Sequence, residues 1–150
     1  MIECKPVGIS SWNYILTTEG HSAKLGFGRY GETGFAEVDG ASFKISEYGR
    51  LSWHWTMADE QGPLFSALKR PTVIPSIEIT TGVGVASLRP AGWSRAKILT
   101  SDDLEVLIET VNDQTRKARI IGHIPDFRFA AFAFWLVVIL WRRGPDPGDY

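Results

Sequence analysis

The chain has 150 residues, 44% of them hydrophobic and 22% charged, with a net charge of −1. That length suits a single domain with a sizeable core, and the near-balanced charge excludes a whole-protein field that would gather nucleic acid. Cys4 is the one cysteine, so no intrachain disulfide forms, which fits a reducing compartment. The stretch from Met1 to Gly8 has no apolar signal core, and the expected location is the cytoplasm, peripheral to a membrane if the chain binds one. Charge is uneven along the chain: residues 1–60 hold 5 Lys+Arg against 8 Asp+Glu, and residues 61–150 hold 11 against 9. A local basic face in the second half is one reading of that split; a mixed solvated surface is the other.

Strand signals recur every 8–12 residues, with turn residues between them, as in a sandwich or barrel. After a short Ile2–Val7 run comes Trp12–Thr18, rich in strand formers, which stops at Glu19-Gly20. Ala23, Leu25 and Phe27 alternate with polar or small residues. Phe35–Val38 and Ser42–Ser46 flank Asp39-Gly40, a hairpin signal because both central positions of a type I′ turn need positive φ. Leu51–Met57 sets Leu51, Trp53, Trp55 and Met57 on one face of a predicted strand. Leu64–Leu68, Ile77–Thr80, Val85–Leu88, Lys97–Thr100, Leu104–Val111 and Lys117–Ile121 complete eleven or twelve strands.

The pattern then changes. Phe129–Trp141 is 13 residues with no polar side chain on any face. A helix that is apolar all round is buried all round. At about 1.5 Å per residue it spans roughly 20 Å, short of a bilayer core of roughly 30 Å, so burial is preferred to a membrane anchor. Asp126 is the predicted N-cap, Arg142 and Arg143 suit a helix C-terminus, and Gly144-Pro145 stops it. The expected fold is all-β with one buried helix: a closed antiparallel β-barrel of about twelve strands enclosing a hydrophobic C-terminal α-helix. Residues 1–143 form this single domain, with the helix at about 127–142, and 144–150 read as a disordered polar tail.

This order of elements resembles the tubby C-terminal-like superfamily, which includes tubby, the phospholipid scramblases and the LURP-one-related proteins. Asp39-Gly-Ala-Ser-Phe-Lys-Ile, then Thr56-Met-Ala-Asp-Glu-Gln-Gly-Pro-Leu-Phe-Ser-Ala-Leu-Lys-Arg, looks like the recurring LURP-one pattern of strand, Asp/Gly turn, strand and basic pair. Asp126 followed by Phe127–Arg142 looks like its terminal helix. The resemblance implies a twelve-stranded barrel around that helix and a ligand among anionic phospholipids or phosphoinositides. The cysteine-rich segment of scramblases has no counterpart, since Cys4 stands alone.

Motifs for catalysis are weak. Gly26-Phe-Gly-Arg-Tyr-Gly31 matches a dinucleotide fingerprint literally, but no helical period follows it, so a glycine-rich hairpin is expected. His21, His54 and His123 are not at metal-ligand spacing, and Asp102-Asp103 reads as a turn. No enzyme activity, cofactor or metal is expected.

The basic residues carry the binding hypothesis. Arg95 and Lys97 are two apart and would share a strand face, as would Lys117 and Arg119. Lys69, Arg70 and Arg89 sit at strand ends, and Trp93 offers an aromatic anchor. Together these eight form the candidate site for an anionic headgroup. The expected function is a non-enzymatic binding module for anionic phospholipid at a membrane surface. The alternatives are a scaffold docking a protein partner and, last, a small enzyme using the barrel mouth.

Overall fold

Alternation of apolar and polar residues decides which face of each strand turns inward, and here it does so on every strand. The computed structural model describes residues 1–8, 11–28, 31–49, 52–70, 73, 75–92, 95–112 and 114–143. Its strands are β1 (Ile2–Pro6), β2 (Tyr14–Thr18), β3 (His21–Phe27), β4 (Gly34–Val38), β5 (Ala41–Glu47) and β6 (His54–Asp59). They continue with β7 (Gly62–Arg70), β8 (Ser76–Thr81), β9 (Gly84–Pro90), β10 (Lys97–Ser101), β11 (Leu104–Asn112) and β12 (Lys117–Ile121), followed by the helix α1 (Phe127–Arg142). Each strand pairs antiparallel with its neighbour in sequence, and β1 pairs with β12. The result is a closed up-and-down barrel without a free edge.

Inward residues such as Cys4, Leu16, Leu25, Ile45, Met57, Ile79, Leu99 and Ile108 are buried to 1% exposure or less. They pack on α1, whose residues from Phe129 to Ile139 are all buried. Tyr14 meets Phe134 edge-on at 4.9 Å, Phe27 stacks on Trp135 at 5.1 Å, and Phe65 lies against Phe132 at 6.0 Å. The helix comes nearest to β3 and β4, where Ala23, Gly26, Gly34 and Ala36 keep the wall thin. Burial of an all-apolar helix inside the sheet is therefore as the sequence predicts. Among the described residues no helix is long and apolar enough to cross a membrane.

The Asp39-Gly40 turn also agrees, with φ of 50° and 86°. Two strand readings shift. The second strand begins at Tyr14 rather than Trp12. The strand expected from Leu51 begins at His54, because Trp53 has a φ of 57°. A bulky residue there costs about 1–2 kcal/mol, and the conformation breaks the alternation before the strand starts. Leu51 itself, and the tail 144–150, lie outside the described residues.

Candidate functional site

An up-and-down barrel sorts its connections alternately to two ends. One end receives Glu19-Gly20, Asp39-Gly40, Glu60-Gln61, Gly82-Val83, Asp102-Asp103 and the segment 122–126. These carry six carboxylates, Glu19, Asp39, Glu60, Asp102, Asp103 and Asp126, and no Lys or Arg. The helix starts here: Phe127 stacks on His21 at 5.2 Å. It runs to the other end, where Trp141 Nε1 donates to the Arg95 carbonyl at 3.1 Å. That second end gathers Lys69, Arg70, Arg89, Arg95, Arg116, Lys117, Arg142 and Arg143 at strand ends, connections and the helix terminus, against Glu32 and Glu47 among the described residues.

The basic end has an inner ring of aromatic and cationic groups. The Trp53 ring takes the Lys69 ammonium at 3.8 Å and the Arg143 guanidinium at 3.4 Å from its centroid. Arg143 also makes a bidentate ion pair with Glu32. Arg142 lies 5.1 Å over Phe27, and Arg116 lies 4.8 Å over Trp12. The cation contacts explain why Trp53 tolerates its left-handed backbone: each is worth about 0.5–1 kcal/mol or more when partly desolvated. Those of Arg142 and Arg143 tie the end of α1 to the barrel mouth.

The eight residues expected to form an anionic-headgroup site divide into groups. Arg89, Arg95 and Lys117 are exposed, on the rim of this end. Arg70 is held by Glu78, with Nη2 to Oε1 at 3.2 Å, and Arg119 by its cross-strand neighbour Glu109 at 2.7 Å. Both are partly neutralised. Lys69 is half-buried over Trp53. Lys97 corrects the sequence reading: it does not share a face with Arg95. Arg95 precedes β10 and is exposed, whereas Lys97 points to the inner side with Leu99 and is only 3% exposed. The strand phase is set by Leu99, so the residue two before it turns inward. Lys117 and Arg119 do share the outer face, alternating with buried Ala118 and Ile120. Trp93 lies outside the described residues. Arg116, Arg142, Arg143, Trp12 and Trp53 join this end without a local sequence signal; counting connections alternately around a closed barrel is what finds Arg116.

The surroundings shift several ionisable groups. Burial, then the nearby Glu3 carboxylate, pushes the Cys4 thiol well up, which leaves it an inert core residue. Burial pushes Tyr14 up to about 12, and its hydroxyl donates to the Arg116 carbonyl at 2.7 Å. Burial acts to raise Asp126, but hydrogen bonds from the Arg128 side chain and backbone outweigh it and hold the carboxyl below its usual range. The His21 side chain and the Ser22 N–H hold Asp39 low in the same way. His54 Nε2 pairs locally with Ser66 Oγ at 3.0 Å.

Gly26 and Gly34 show what the glycine-rich segment is for. A Cβ on Gly34 would sit 2.1 Å from the Gly26 carbonyl oxygen and 2.8 Å from Trp135 Nε1, which donates to that same carbonyl at 3.0 Å. The glycines make room for the helix. Among the described residues, no three His, Cys, Asp or Glu side chains gather as a metal site. Comparison with family models, curated proteins and solved structures gives no match.

Proposed function

We propose that this chain is a non-enzymatic binding module of the tubby-like kind that meets an anionic phospholipid surface with the basic end of its barrel. The supporting observation is the sorting of charge: exposed Arg89, Arg95 and Lys117 lie on one arc of strands, β9 to β12, at the end opposite the carboxylate turns. Each cation near an anionic surface contributes about 1 kcal/mol. Exposed Tyr48 and Val73, at 74% and 103%, supply apolar groups on connections of the same end.

Flotation with phosphatidylserine-containing and pure phosphatidylcholine vesicles tests this. The chain binds the anionic vesicles at 0.05 M salt and is released as the Debye length falls below about 10 Å above 0.1 M. Changing Arg89, Arg95 and Lys117 together to Gln lowers partitioning on the order of 100-fold, from about 3 kcal/mol. Equal binding to neutral vesicles, or none to anionic vesicles at low salt, removes the proposal.

One observation favours the protein-partner alternative. Ile98, Leu107 and Ile121 stand directly opposite each other on the outer faces of β10, β11 and β12, a short apolar row. If Leu107→Lys abolishes association with a co-purifying protein while vesicle binding is absent, that reading takes precedence.

A further inference from the structure

The acidic end contains a cavity of about 530 Å³, inside the range of roughly 300–1,000 Å³ typical of small-molecule sites. Two hairpin tips, the start of β7 and the first turn of α1 wall it. Its floor is apolar: Phe65 and Phe129, with ring centroids 5.7 Å apart, joined by Leu64 and Leu104, with Val85 at the rim. Val85 is 53% exposed, so this apolar lining reaches the surface.

The rim has one sign of charge left over. Arg128 is the sole cation in the lining, and Asp126 holds it through Nε at 3.1 Å and Nη2 at 2.9 Å. Asp126 also accepts the Arg128 backbone N–H at 3.0 Å, so the positive end of the helix already faces a carboxylate. Asp102 and Asp103 are exposed and make no ion pair among the described residues. An anion entering here meets two uncommitted carboxylates and a helix terminus already capped. A cation meets two carboxylates beside an aromatic lining, Phe65 and Phe129, of a kind that attracts positive charge. A peptide strand has no edge to join, because every strand is paired on both sides.

We infer that this cavity binds a small amphipathic organic cation, its apolar body against Phe65, Phe129 and Leu104 and its ammonium group at Asp102 and Asp103. The site lies at the opposite end from the basic rim and stands whether or not that rim binds lipid.

The test titrates 4-phenylbutylammonium, 4-phenylbutanol and 4-phenylbutanoate into the isotopically labelled full chain, followed by amide chemical shifts. The ammonium compound shifts amides of residues 82–86 and 101–104, at least threefold more tightly than the alcohol and tenfold more tightly than the carboxylate. Changing Asp102 and Asp103 to Asn, on an exposed turn, makes ammonium and alcohol bind alike while amides elsewhere keep their positions. Val85→Lys, which places a cation at the rim, abolishes ammonium binding. Equal binding of the carboxylate, shifts centred elsewhere, or no shift by the ammonium compound at millimolar concentration overturns the inference.

Discussion

The two ends of the barrel are made by the same twelve strands, yet they differ in construction. At the acidic end five of the six connections are two residues long; at the basic end they run from four to seven. Short turns fix register, and their carboxylates and glycines serve the backbone: Asp39 accepts from the Ser22 N–H at 2.9 Å and Asp59 from the Gln61 N–H at 2.8 Å. Longer connections are freer to carry binding groups, and there the arginines and tryptophans meet. The helix reinforces the difference, with Asp126 at its positive end and Arg142 at its negative end. Charge sorting of this kind therefore has a stabilising component before any ligand is considered, and each end needs a separate test of binding.

The largest expected effect removes both ends together. Val138 is fully buried in the lumen, and Val138→Asp sets an unpaired carboxylate there at several kcal/mol, against a typical total stability of about 5–15. We expect no soluble folded protein. Unchanged near-ultraviolet circular dichroism would show that the helix is not the core.

A smaller change separates the ends. Gly34→Ala drives a methyl into the Gly26 carbonyl and displaces the Trp135 indole, costing about 3 kcal/mol from overpacking and a lost buried hydrogen bond. Denaturant titration reads the loss, and hydrogen exchange should place it at β3, β4 and the second half of α1. Loss spread evenly to the acidic turns would mean that the ends are not independent.

The mildest lever is pH, and it acts on the ends from opposite directions. Tyr14, at the basic end, has its pKa raised from 10 to about 12. Its folded form favours the protonated phenol, so its stabilisation is complete below pH 10 and fades between 10 and about 12, amounting to about 2–3 kcal/mol. Asp126, at the acidic end, is lowered from 3.8. Its contribution is complete above that value and fades as pH falls through the lower folded one. Amide exchange should rise first near residues 14–16 and 116–118 in alkali, and near 122–128 in acid. The reverse order would contradict both assignments.

Much of the barrel is legible from local rules. Alternation such as Ala23-Lys24-Leu25 shows which face is inner, Asp39-Gly40 names its turn, and the absence of polar residues from Phe129 to Trp141 places the helix inside. The candidate site is less legible because its determinants are long-range. Glu32 and Arg143 pair across 111 positions, and nothing local announces it. Trp53 stands outside its strand, and the two cations over its ring come from β7 and from the residue after α1. Lys97 looks like a surface lysine until the phase of β10 is known. Sequence spacing places side chains relative to their own strand; only closure of the barrel decides which strand ends share a rim.

The helix that fills the lumen comes after all twelve strands in the chain. Synthesis releases N-terminal segments first, at about 5–20 residues per second. Leu16, Leu25 and Ile45 therefore leave the ribosome long before the residues that will cover them. The contacts that seal the interior, such as the Trp135 indole on the Gly26 carbonyl 109 positions away, are among the most distant in sequence. High contact order of this kind slows folding and prolongs exposure of sticky strands. Closure of the barrel interior therefore waits until the residues of α1 are available.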